Sequence, residues 1–392
     1  METKQRFSSV ATVAGWLRDL WVALGVALLL FLLLEGLYVG QRAIRAVVFG
    51  SDAERAAQVE GHPYRGQAWY RQLIRERERQ RKKWDAWRIY WSYPLAGRYV
   101  NVDSAGRRVT IQPPANPAPS ARVFMLGGSA MWGYAARDSA TIPSLVAHRL
   151  AALGVSGVEI VNLAQPGYVM GQELATLEVE WARANVPTMA VFFNGINDIR
   201  AALLSSEPGH VFFESRLRRL YEVDANRGVV GALAAAAQHS AFINRLVLAL
   251  GLSREWVEPT PPPDLCPRVS DYYRRLSDAA MRLSQRGQFD LLLVLQPMHA
   301  TTMKPLSAFE RSLRGNPDRM RTIGACARAI ESAMAADSGR TFLSLSSVFD
   351  DRPETVFLDG YGHVTETGNR LVADRLAQAI AQRLWARTAG LP

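Results

Sequence analysis

RVFMLGGSAMWG, from Arg122 to Gly133, decides the fold of this 392-residue chain. Its first five residues, Arg122 and four apolar residues, form a run short enough for a strand, and Val123–Leu126 are apolar enough for one buried on both faces. Two glycines then let the backbone turn sharply and deliver Ser129 to the start of a helical region. The pattern recurs downstream. VEIVN (Val158–Asn162) runs into LAQPGY, and MAVFF (Met189–Phe193) runs into NGINDI. DLLLVL (Asp290–Leu295) and TFLSL (Thr341–Leu345) read as the fourth and fifth strands. Helical patterns lie between them. Ile142, Leu145, Val146, Leu150 and Leu153 share one helix face, with Thr141 as cap and Pro143 in the first turn. Further helices are expected over Gly171–Ala184 and from about Glu366 to Trp385. Buried strands alternating with helices predict a mostly parallel five-stranded sheet in a three-layer α/β/α sandwich. In such sheets ligands bind beyond the carboxyl ends of the strands.

Outward from this core, residues 121–392 form the expected sheet domain, with a long and mostly helical insertion at about 201–286. The Pro/Ala/Ser stretch PPANPAPS (Pro113–Ser120) marks its N-terminal boundary. Residues 41–120 form a basic and aromatic segment. It is helix-prone to about Arg88, with Trp84, Trp87 and Trp91 at helical spacing, a stripe that reads as packed core. Tyr99–Ile111 reads as a small extended region turning at Asp103–Gly106. Residues 20–40, opening LWVALGVALLLFLLL, are about 20 residues long, enough for one helix across a ~30 Å hydrocarbon core. The run is longer than a cleaved signal peptide requires, and Glu35, Tyr38, Gln41 and Arg42 occupy its far end. An uncleaved anchor behind a tail of residues 1–19 is the reading. Lys4, Arg6 and Arg18 before the span balance Arg42, Arg45 and Arg55 after it, so charge does not orient it.

Composition narrows the functional classes. Apolar residues are 48% and charged residues 21% of the chain, which excludes a disordered polymer, and one apolar span excludes a polytopic membrane protein. The net charge of +10 is partly local: Gly61–Tyr90 holds nine basic residues against Glu76, Glu78 and Asp85. No nucleic-acid motif accompanies the run, so it reads as a solvated face. The six histidines are scattered, no Cys/His pair has ligand spacing, and Gly127-Gly128-Ser129 lacks a phosphate-loop lysine; neither metal nor cofactor is expected. Cys266 and Cys326 could form one disulfide in an oxidising compartment or remain two buried thiols.

The loops at the expected sheet edge carry the chemistry. A serine becomes a nucleophile when a base takes its proton and donors hold the resulting oxyanion. Ser129 follows strand one, Gly167 lies in the turn after strand two, and Asn197 follows strand three. FLDGYGHVTETGN places Asp359 and His363 before the last helix. The expected roles are Ser129 as nucleophile, His363 as base and Asp359 as orienting acid. The oxyanion donors are the backbone N–H of Ser129, the backbone N–H of Gly167 and the side-chain amide of Asn197.

Together these residues resemble the SGNH/GDSL hydrolase superfamily of serine esterases, lipases and O-acyltransferases, over about Arg122 to Leu384. Ser129 matches the first-block serine, Gly167 the second-block glycine, Asn197 the asparagine of the G-x-N-D block (Gly195–Asp198) and His363 the fifth-block histidine. Two departures stand out: Gly128 replaces the usual aspartate of the signature, and Asp359 precedes His363 by four residues rather than three. GGSAMWG, TIPSLVA, FFNGINDI and GHVTETGN look like anchored members linked to bacterial exopolysaccharide and cell-envelope modification. The resemblance implies a flavodoxin-like SGNH fold, a soluble domain on the periplasmic face of the inner membrane, and an acylated carbohydrate or other ester as substrate. Three functions remain open at this point: an esterase removing O-acyl groups, an O-acyltransferase using the same residues, and a catalytically silent, membrane-tethered polysaccharide-assembly protein.

Overall fold

The computed structural model describes residues 2–114, 119–212, 214, 240–250, 260–337 and 342–388. The chain divides into two compact units, Met1–Arg55 with Ser215–Val257, and Ala56–Glu214 with Glu258–Pro392.

In the first unit one helix runs from Glu2 to Phe49. Its stretch Gly15–Arg45 is long and apolar enough to cross a membrane. Glu35 within that stretch is occupied: its carboxylate accepts from Ser240 Oγ at 2.6 Å and from the N–H groups of Ala241 and Phe242 at 2.7 and 2.9 Å. These are the orphan donors at the start of the helix Ala241–Ala249, so one acidic side chain caps a neighbouring helix. The cost of an acid in an apolar helix is thereby offset.

In the second unit the element order is α1 (Ala68–Glu78), β1 (Lys82–Asp85), β2 (Ile89–Ser92), β3 (Ala121–Gly127), α2 (Ser129–Trp132), α3 (Ile142–Ala152), β4 (Val158–Asn162) and α4 (Met170–Ala182). There follow β5 (Met189–Asn194), α5 (Ile196–Ser205), α6 (Leu265–Gly287), β6 (Asp290–Leu295), a short helix at Ala308–Ser312, α7 (Pro317–Asp337), β7 (Phe342–Ser344) and α8 (Glu366–Thr388). Strands β3 to β7 make the sheet in the order β4-β3-β5-β6-β7, every pair parallel. The expected sheet is therefore present, with β7 shorter than expected and Thr341 outside the described residues. The strand order reverses beside β3, and the crevice at that switch point is where such sheets hold ligands.

Val123, Phe124, Met125 and Leu126 are all fully buried, as a strand covered on both faces requires. Phe124, Leu126 and Phe192 share one core with Leu174 of α4, Val269 of α6 and Ile323 of α7. Helices α3 and α8 pack against one another, and α3 also packs on β4. Each large side chain taken fully out of water contributes about 1.5–3 kcal/mol. Thr141 caps α3 as expected, its hydroxyl accepting from Ser144 N–H, with Pro143 in the first turn. Cys266 of α6 and Cys326 of α7 are joined as a disulfide, Cα–Cα 4.4 Å.

The tryptophan segment corrects one expectation. Helix α1 ends at Glu78, and residues 82–92 form an antiparallel hairpin in which Trp84 faces Tyr90 and Lys83 faces Trp91. Only Trp91 is buried; Trp84 and Trp87 are 56% and 78% exposed. The local reason is Asp85, whose Oδ1 accepts from the N–H of Trp87 and of Arg88 and whose Oδ2 pairs with Arg88 at 2.6 Å. An Asx turn of this kind competes with a helix and closes a hairpin. The segment that follows is bound to the sheet domain by fully buried Arg108, which donates to Asp138 at 2.6 Å and to the carbonyls of Tyr99 and Ala136.

Candidate active site

The carboxyl end of β3 delivers Gly127, Gly128 and then Ser129, the first residue of α2. A Cβ on Gly128 would lie 2.3 Å from Asn197 Nδ2. Glycine at that position therefore lets the Asn197 amide approach the serine turn. The carboxyl end of β5 delivers Asn197 in the first turn of α5. One amide proton of Asn197 goes to the Tyr168 carbonyl at 2.8 Å, leaving the second for another acceptor.

Between β7 and α8, the loop holding Asp359 and His363 folds back on itself. Leu358 N–H donates to the His363 carbonyl at 2.9 Å, and Phe357 bridges Val364. Asp359 Oδ1 accepts from three successive N–H groups, those of Tyr361, Gly362 and His363, at 2.9, 3.1 and 3.2 Å. Its Oδ2 pairs with His363 Nδ1. A Cβ on Gly360 would lie 2.3 Å from the Leu313 carbonyl, so glycine is required for this tight path. The fourth residue of the Asp–His spacing is absorbed in that curl, and the carboxylate reaches the ring.

His363 Nε2 stands 2.7 Å from Ser129 Oγ. A carboxylate is only an acceptor, so Nδ1 carries the proton and Nε2 is left to accept from the serine hydroxyl. Burial works to raise the Asp359 carboxyl, but the adjoining imidazole and the N–H groups of Tyr361 and His363 outweigh it and hold it at about 2. The acid is therefore charged at neutral pH. Tyr134 stacks on the His363 ring at 4.7 Å, and the Arg77 guanidinium of α1 lies 3.7 Å over Tyr134. Tyr134 lies five residues beyond Ser129, so its closeness was available from the sequence; Arg77 carried no signal there. Ser129, Asn197 and His363 line one cleft, together with Arg200, Gln296 and Tyr361.

Gly167 stands apart from that lining. It occupies the turn Gln165–Tyr168, closed by Tyr168 N–H to the Gln165 carbonyl at 3.1 Å, with φ of +87° following Pro166. Pro followed by a positive-φ residue is the signature of a type II turn. The turn meets the cleft through the Tyr168 carbonyl that holds Asn197. Among the described residues there is no group of His, Cys, Asp and Glu side chains that could hold a metal ion.

Neither a family model nor a curated protein matches this chain. Solved structures similar to it include an acetyl xylan esterase, AlAXEase, at 14% identity and TM-score 0.38, covering 66% of this chain and 99% of that one. A putative lipolytic protein of the G-D-S-L family from Desulfitobacterium hafniense is similar at 10% identity and TM-score 0.36, covering 66% and 99%. A lipase/acylhydrolase from Enterococcus faecalis is similar at 16% identity and TM-score 0.34, covering 67% and 96%.

Proposed function

We propose that the chain is a serine esterase of the SGNH/GDSL type that removes O-acyl groups, acetyl in particular, from a carbohydrate through an acyl-serine intermediate. The observation that carries this reading is the relay Asp359–His363–Ser129, closed at 2.7 Å between His363 Nε2 and Ser129 Oγ, in a cleft at the switch point of the sheet. Ser129 Oγ attacks the ester carbonyl while its proton passes to His363 Nε2. Asp359 stabilises the imidazolium. The tetrahedral oxyanion is held by the free amide proton of Asn197 and by backbone N–H groups, of which those of Ser129 and Gly167 are the candidates. His363 then returns the proton to the leaving sugar hydroxyl, and water activated by the same base releases the acid. Attack by a second sugar hydroxyl instead of water would make the same residues an O-acyltransferase.

The span Gly15–Arg45 supports anchoring in the inner membrane, and the Cys266–Cys326 disulfide supports an oxidising, periplasmic location for the sheet domain. The test is Ser129→Ala in the detergent-solubilised full chain. Turnover of p-nitrophenyl acetate and labelling by a fluorophosphonate should both vanish while the melting temperature is kept. Undiminished turnover in this variant would sink the acyl-serine mechanism, and acyl transfer to an added glycan at the expense of free acid would make the protein a transferase.

A further inference from the structure

The hairpin β1–β2 precedes the linker at Pro113–Ser120, yet it grips the turn that meets the active site. In its register Lys82 faces Ser92 and Trp84 faces Tyr90. Because side chains alternate along a strand, these four residues share one face. Three of them reach the Gln165–Tyr168 turn. Lys82 Nζ donates to the Pro166 carbonyl at 2.8 Å and Tyr90 Oη donates to the same oxygen at 2.9 Å. Ser92 Oγ donates to Gln165 Oε1 at 2.6 Å. The grip is returned by Tyr168, whose buried hydroxyl donates to the Tyr90 carbonyl at 2.5 Å.

The Pro166 carbonyl belongs to the peptide unit that carries the Gly167 N–H. In a planar trans peptide the C=O and N–H point to opposite sides, so two donors fixed on the oxygen fix the direction of the N–H. A cation on the oxygen also polarises the amide, making the N–H a stronger donor. One residue further on, the Tyr168 carbonyl holds the Asn197 amide at 2.8 Å. Both side-chain and backbone oxyanion candidates outside the serine turn thus depend on a loop held from the hairpin.

We propose that Lys82 is a positioning residue for the oxyanion-binding groups, acting through the Pro166–Gly167 peptide, and that the β1–β2 hairpin belongs to the catalytic apparatus. This rests on the acyl-serine reading above. Lys82 lies on an exposed strand, so its replacement leaves the core intact. In the detergent-solubilised full chain, Lys82→Met should lower kcat on p-nitrophenyl acetate about ten- to a hundredfold, less than deletion of an oxyanion donor, with KM within about twofold. Lys82→Arg should restore most of the loss, since a guanidinium donates to the same carbonyl. A role in stability alone would move the melting temperature and spare kcat; a role in substrate contact would raise KM. Unchanged kcat in Lys82→Met, a change confined to KM, or no recovery in Lys82→Arg would overturn the proposal. Amide exchange of the peptide spanning 163–170, followed by mass spectrometry, should quicken in Lys82→Met and not in Lys82→Arg, and equal exchange in all three proteins would also overturn it. That second measurement needs no turnover. It decides the grip of Lys82 on the turn even where Ser129→Ala shows the acyl-serine reading to be wrong.

Discussion

Replacing Asp359 by asparagine separates the two jobs of its carboxylate. Oδ1 accepts three backbone N–H groups, and the asparagine carbonyl oxygen can accept the same three, so the curl of the loop survives. Oδ2 accepts from His363 Nδ1, and there the substitution places an NH₂ group, which can only donate. The imidazole answers by shifting its proton to Nε2. That nitrogen faces Ser129 Oγ at 2.7 Å and can no longer take the hydroxyl proton. The loss is therefore one of tautomer with little loss of structure, for which a drop of about 10⁴ in kcat is the precedent in another serine enzyme, close to 5.5 kcal/mol of barrier. Asp359→Ala removes the loop acceptor as well, so it should match the asparagine variant in kcat and fall below it in melting temperature. The assay is steady-state hydrolysis of p-nitrophenyl acetate by the detergent-solubilised full chain, with thermal unfolding alongside. An asparagine variant within tenfold of the wild type would refute the tautomer argument.

Two further predictions concern stability. Lys304 Nζ and Glu310 Oε2 pair at 2.6 Å with both side chains wholly buried, and Glu310 Oε1 also accepts the N–H groups of Val356 and Phe357 at the foot of the Asp359 loop. Lys304→Met should cost about 3–5 kcal/mol by stranding the carboxylate, with partial recovery on adding Glu310→Gln; a loss below about 1 kcal/mol in denaturant unfolding would count against it. Asp198, wholly buried near Glu173, is raised from 3.8 to about 6 by burial, against the opposing pull of backbone donors such as Met170 N–H. Because the folded protein holds this proton longer than the unfolded chain, the contribution of Asp198 to stability falls as pH rises from about 4 to 6 and is level above. Glu173, raised by burial and by the Asp198 charge, adds the same sign. Asp198→Asn should gain on the wild type across that window, by up to about 3 kcal/mol, and a melting-temperature difference constant from pH 4 to 7 would dismiss the argument.

The layers of the fold and most of the candidate site are legible in the residues alone. Five apolar runs separated by helical periodicity imply a parallel sheet, because only covered strands can be apolar throughout, as Val123–Leu126 and Met189–Phe193 are. Ser129, Asn197 and His363 are legible because each sits directly against such a run or before the last helix, where local pattern and site position coincide. The reach of Asp359 to the ring is not legible in the same way, since it depends on the path of Gly360 and Gly362, a matter of φ, ψ and packing against Leu313. A spacing of three and four residues among tryptophans fits a helix, and the Asp85 turn that overrides it into a hairpin makes no periodic mark. What tertiary structure alone decided are contacts between distant parts of the chain: His363 on Ser129 across 234 residues, Arg77 behind Tyr134, and Lys82 on Pro166 across 84. Periodicity reports which face of an element is buried. It carries no record of which distant loop will meet it, because that pairing is settled by the packing of the whole sheet and its helices.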